Sequence, residues 1–148
     1  ADRAWKSYSE LRPASTPAQM LAALQSDESF RAPAWRVIDG RDQAGSPTWS
    51  YFFTWPTPVF GGVLGACHGL DIPFVFDNVT VPGVEMFIGQ SSAHRPIADA
   101  LAGALLNFAR TGEAPWQATD SKRTAWQIDE RTDVLVDPER ALYDLWNR

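Results

Sequence analysis

The aromatic run Thr48 to Trp55, closed by Pro56 and Pro58, most constrains what this chain can fold into. Its Trp, Tyr and Phe content and its proline-marked end predict a buried strand, the clearest in the sequence. Four or five predicted helices surround it. Their apolar stripes need a sheet to cover, yet only one or two further strands are possible, one of them at Thr124 to Ile128. The chain therefore carries helices for a larger sheet than it can itself supply.

The helices are predicted from spacing and caps. Ala4, Tyr8 and Leu11 start a helical pattern at once, and the opening Ala1-Asp2-Arg3, without an initiator Met, reads as the start of an excised fragment. Thr16-Pro17-Ala18-Gln19 has the form of a capping box with Pro at the first helical position, opening a helix through Leu21 and Leu24 that stops near Ser26. Asp27 is expected to cap the next helix, with Phe30, Ala34, Val37 and Ile38 as its apolar face, before the Gly45-Ser46-Pro47 break. Ser91 or Ser92 begins a helix in which Ile97, Leu101, Leu105 and Phe108 form one stripe, closed by Gly112 as a left-handed cap. Asp137-Pro138-Glu139 starts a last helix carrying Leu142, Leu145 and Trp146.

Composition excludes several functions. In 148 residues the hydrophobic fraction is 45%, with seven Trp and eight Phe, which is globular and not disordered. A net charge of -5 without a basic stripe speaks against a nucleic-acid partner. No run approaches the ~20 apolar residues that span a bilayer, so no membrane partner is expected and the compartment stays open. One cysteine, Cys67, permits no internal disulfide. Two histidines and that cysteine lack any usual metal-ligand spacing, and neither metal nor cofactor is expected.

The segment Gly65-Ala66-Cys67-His68-Gly69-Leu70-Asp71-Ile72-Pro73-Phe74-Val75-Phe76 puts a histidine on a glycine-flanked loop before a short apolar stretch. It resembles the catalytic-histidine segment of the type B carboxylesterases, the family of para-nitrobenzyl esterases and cholinesterases, with its Gly-x-x-His-Gly/Ala-x-Glu/Asp-x-Pro-Phe-Val-Phe pattern. Ser26-Asp27 with Phe30 and Pro33, Trp49 to Phe53, and Phe108-Ala109-Arg110-Thr111-Gly112 before Trp116 extend the likeness over nearly the whole chain. The resemblance implies an α/β fold, the C-terminal portion of an α/β-hydrolase, mostly helical with one to three strands. Residues 1–148 would then form a single C-terminal segment of a carboxylesterase domain and not a complete catalytic domain.

The same resemblance makes His68 the catalytic general acid/base of a serine esterase. Its serine and acid precede the histidine in an α/β-hydrolase. No residue before position 68 fits those roles. Asp27 is explained as a helix cap, at a position where the family's acid supports the site's structure, and Asp39 and Asp42 belong to a solvated helix end. Asp71 is better read as a cap or local ion-pair member than as the orienting acid. Gly89-Gln90-Ser91-Ser92-Ala93 lies after the histidine and ends in Ala, so it is a helix start and not a nucleophile elbow. Cys67 and His68 are adjacent and their side chains diverge, against a dyad. His94 reads as a surface or capping side chain.

Trp55, Phe60 and Phe74 are candidates for lining an acyl or alcohol pocket, and burial in the core explains each equally well. The expected partners are a small carboxylic ester for the parent enzyme and, for this chain, the missing N-terminal part of the same protein or another copy. Alone, the chain should hydrolyse no ester. The competing class is a noncatalytic esterase-like module for binding or self-association, and the intact His68 counts against it.

Overall fold

The computed structural model describes residues 2–147. They divide into two compact units, one comprising residues up to Thr48, Asp120–Arg123 and residues from Asp137 on, the other Trp49–Thr119 and Thr124–Val136.

The first unit is helical. Helices α1 (Asp2–Leu11), α2 (Pro17–Ser26) and α3 (Ala32–Gln43) come from its N-terminal stretch and α7 (Arg140–Trp146) from its C-terminal one. The predicted capping box is present at α2, where the Thr16 hydroxyl accepts from Gln19 N and the Gln19 side chain accepts from Thr16 N. Tyr8, Ala32, Trp35 and Leu142 form the core, with Leu145 and Trp146 packed against it as the final helix's spacing predicts. Arg123 stacks 3.6 Å over the Tyr143 ring.

Asp27 does not cap a new helix. Asp27–Arg31 is a π turn through which α2 runs on into α3, with Ala32 N donating to Asp27 O. The extra residue in that turn rotates the following face by about 100°, one helical position. Ala32 and Trp35 are therefore buried, whereas Phe30, Ala34 and Val37 of the expected apolar face are exposed. The Asp27 carboxylate is buried, accepts from the Tyr8 hydroxyl and is ion-paired with Arg31, whose Nε lies 3.2 Å away. Asp39, expected in solvent, accepts from the Tyr143 hydroxyl at 2.7 Å.

The second unit holds the sheet. Strand β1 (Tyr51–Phe53) lies parallel to β2 (Ala125–Ile128), which pairs antiparallel with β3 (Asp133–Leu135). Both strands anticipated in the sequence are present, each shorter than its apolar run. The long helix α6 (His94–Thr111) packs on the short helix α4 (Ile72–Val75), and α5 (Glu85–Ile88) lies between them in sequence. Trp55, Leu70, Phe74, Ile88, Ile97, Ala98, Leu101 and Ile128 make the core. Gly112 ends α6 in the left-handed conformation, φ 77°, with its N–H on Phe108 O, as the sequence predicts. Trp116 stacks on Trp126 of β2 with ring centroids 4.6 Å apart and donates its indole N–H to Ser50 O. Among the described residues no helix is long and apolar enough to cross a membrane.

Candidate active site

The segment leaving β1 is fixed before it reaches His68. Thr54 N and Trp55 N both donate to Ile128 O, at 2.9 and 3.2 Å, extending the parallel pairing past the strand's end. Thr57 is fully buried, and its hydroxyl donates to Phe87 O at 2.8 Å while its N–H donates to Gly65 O at 3.1 Å. The second bond closes a loop over the 3-10 turn Val59–Gly62. Phe60, Gly61 and Gly62 take positive φ there, which is why the sequence spends two glycines in it.

His68 occupies the corner of the next turn. Leu70 N donates to Cys67 O at 3.1 Å, and within that turn only Gly69, at its third position, has positive φ, the signature of a type II turn. A side chain at residue 69 would be strained by φ +75° and not by crowding, since its Cβ would meet Ile72 Cδ1 at an ordinary 3.5 Å. The His68 imidazole is exposed, while Leu70 and Phe74 behind it are fully buried. The turn thus lifts the imidazole off a rigid core.

Asp71 occupies the N-cap position of α4, but its side chain makes no cap hydrogen bond there. Its Oδ2 accepts from the Tyr51 hydroxyl at 2.9 Å, and its backbone carbonyl accepts from Phe74 N and Val75 N. Burial, followed by the bond to Asp71, pushes the Tyr51 hydroxyl up to about 12. Tyr51 is a site-supporting residue that the sequence reading missed, because strand periodicity gives it a face but no partner.

The remaining candidates lie apart from this chemistry. Ser91 Oγ accepts from Ala93 N at 3.1 Å, a helix-start role. Asp27 and Asp39 belong to the helical unit. His94 is neither a surface nor a capping residue: it is 9% exposed and sits edge to face with Trp55 and Phe74. Burial lowers its proton affinity, against a smaller opposing effect of its hydrogen bond with the Ile88 backbone. Of the three aromatic candidates, Trp55 and Phe74 are core, whereas Phe60 is 77% exposed, so core burial does not explain it. A cavity in the helical unit is lined by Leu11, Arg12, Glu139 and Leu142 among others, and contains none of the predicted site residues. Among the described residues no three His, Cys, Asp or Glu groups gather into a metal site.

The model of the carboxylesterase family matches residues 3–137. The chain belongs to the carboxylesterase family. It superposes on a Geobacillus stearothermophilus carboxylesterase with a TM-score of 0.82 and 29% identity, covering 99% of this chain and 32% of that one. A thermophilic PNB esterase gives 0.75 at 22% identity over 95% of this chain and 30% of its own. An esterase from anaerobic Clostridium hathewayi, which can hydrolyze aliphatic aromatic polyesters, gives 0.71 at 21% over 99% of this chain and 29% of its own. The chain thus spans about a third of these carboxylesterases, and its fold is a C-terminal portion of the α/β-hydrolase fold.

Proposed function

We propose that the protein carrying this chain hydrolyses carboxylic esters through an acyl-serine intermediate, with His68 as general acid/base. The imidazole takes the proton of the serine hydroxyl as its oxygen attacks the ester carbonyl, and returns it to the departing alcohol oxygen. In the second half it takes a proton from water, whose oxygen attacks the acyl carbon, and returns it to the serine. The observation that carries this reading is the exposed His68 at the corner of a glycine-formed turn, in a chain of the carboxylesterase family.

In this reading the serine, the acid and the oxyanion hole come from the missing N-terminal part of the same protein, and residues 1–148 are one segment of a larger catalytic domain. The exposed large apolar side chains of the unit that holds His68 support it. Phe60, Val63, Ile72, Phe76 and Met86 are 54 to 77% exposed, the kind of surface that an assembled protein covers. Histidine without a positioned nucleophile forms no acyl-enzyme, so the chain alone is inactive.

Mass spectrometry of the whole protein quenched during p-nitrophenyl acetate turnover tests the mechanism. The expected result is one added acetyl group on a serine outside residues 1–148, absent in His68→Ala. An acetyl group within these residues, or turnover that survives His68→Ala, would overturn the proposal.

A further inference from the structure

The chain's two histidines have opposite surroundings. His68 is exposed, whereas His94, the first residue of α6, is 9% exposed. Its ring lies 5.1 Å from Trp55 at 82° and 5.8 Å from Phe74 at 71°, and those two rings lie 5.4 Å apart at 63°. The three rings form an edge-to-face triangle, the arrangement that aromatic quadrupoles favour.

That triangle joins the two ends of the segment bearing His68. Trp55 begins the path from β1 toward the glycine turns, and Phe74 lies in α4, just beyond the His68 turn. Cys67, directly before His68, packs on the same core. Ile88, the last residue of α5, is buried in the same core. One imidazole therefore ties β1's exit and α4 to the start of α6.

A protonated His94 does not fit this place. The buried Nε2 has no hydrogen-bond partner among the described residues, and an added charge with an unmet N–H in an apolar cage is unfavourable. Attraction of a cation to ring faces offsets part of that cost. The ionisable groups on the surrounding elements have partners elsewhere. Asp71 accepts from Tyr51, Asp77 and Asp99 pair with Arg95, Glu85 accepts from Gly83 N, and Asp129 accepts from Thr54. The Cys67 thiol is the remaining titratable side chain on this core.

We infer that His94 is a positioning residue for the His68 loop and holds that loop in place only as the neutral imidazole. Catalytic meaning comes from the role proposed for His68, but the coupling itself is a property of this chain. The sign follows from the lowered proton affinity of the folded state. Between the folded value and the ordinary value of about 6.5 the unfolded form binds more protons, so the packing contributes fully above about 6.5 and is lost as pH falls toward the folded value.

NMR titration of the two imidazole Cε1–H signals in the whole protein, assigned by their loss in His68→Ala and His94→Phe, reads the first half of the inference. The rate at which Cys67 reacts with 4,4′-dithiodipyridine, followed by mass spectrometry of the Cys67 peptide and normalised at each pH to the urea-unfolded protein, reads the second. The expected result is a His94 midpoint below 6.5 and a normalised Cys67 rate that rises as pH falls across the same range, by about tenfold per pH unit separating the folded and unfolded midpoints. His94→Phe keeps a ring and gains no proton, so its normalised rate should stay flat. A His94 midpoint at or above 6.5, or the same pH course in wild type and His94→Phe, would overturn the inference. Should that variant not fold by circular dichroism, the wild-type comparison decides, since Cys67 exposure that does not track the His94 midpoint also overturns it. Turnover that survives His68→Ala would overturn the proposed function and leave these readings unchanged, so the two proposals fail separately.

Discussion

The Tyr51 hydroxyl donates 2.9 Å to the Asp71 carboxylate, tying β1 to the residue that opens α4, three positions beyond His68. Removing the hydroxyl leaves that partly buried carboxylate without one donor, so Tyr51→Phe should cost about 1 kcal/mol at neutral pH. Because the folded-state hydroxyl is held up to about 12, its contribution is fully present below the unfolded value near 10 and is lost as pH rises from about 10 to 12. Urea unfolding at pH 8 and pH 11 should show a smaller pH loss in Tyr51→Phe than in wild type. Equal losses would contradict this account of the contact.

The buried Asp27 carboxylate is held by the Tyr8 hydroxyl and Arg31, and the Trp146 indole N–H donates to the Tyr8 oxygen at 3.0 Å. Deleting one member of a buried, paired set strands the others. Asp27→Ala should therefore destabilise the helical unit by about 3 kcal/mol, with Asp27→Asn milder because it keeps an acceptor for Tyr8. Thermal and urea unfolding of the two variants check the order and the size.

Gly89 follows α5 with φ 70° and ψ -152°, a conformation essentially reserved for glycine, and an added Cβ would lie 2.6 Å from Pro58 Cγ. Strain and clash act together, so Gly89→Ala should lose about 2 kcal/mol or more by urea unfolding. Gly40, which has helical φ and open space around a Cβ, is the matched control, and Gly40→Ala should be neutral or stabilising by up to about 1 kcal/mol.

What was legible in the sequence was local chemistry. Thr16 and Gln19 form the anticipated capping box because its partners lie three residues apart. Gly112 ends α6 because only its own backbone must turn left-handed. What was not legible depended on distant partners. Asp27 has the sequence form of a cap, but Tyr8, nineteen residues earlier, and Arg31 hold it inside a continuous helix whose π turn reassigns the apolar face from Phe30 and Val37 to Ala32 and Trp35. His94 followed a polar Ser-Ser-Ala stretch and preceded Arg95, so nothing local marked it as buried between Trp55 and Phe74. The glycine-flanked loop at His68 was readable from its segment, but the reason for Gly69, a positive φ and not room beside the imidazole, was not, because residue types alone do not fix which position of a turn must be left-handed.

The measurement that tests the central claim most directly is p-nitrophenyl butyrate hydrolysis by three proteins: the 148-residue chain, the whole protein that carries it, and the whole protein with His68→Ala. The account predicts background for the chain with a single mass near 16.4 kDa, turnover by the whole protein, and a fall in kcat of about 10⁴-fold or more in His68→Ala with little change in KM. His68→Ala activity within about tenfold of wild type, or His68-dependent turnover by the chain alone, would contradict it.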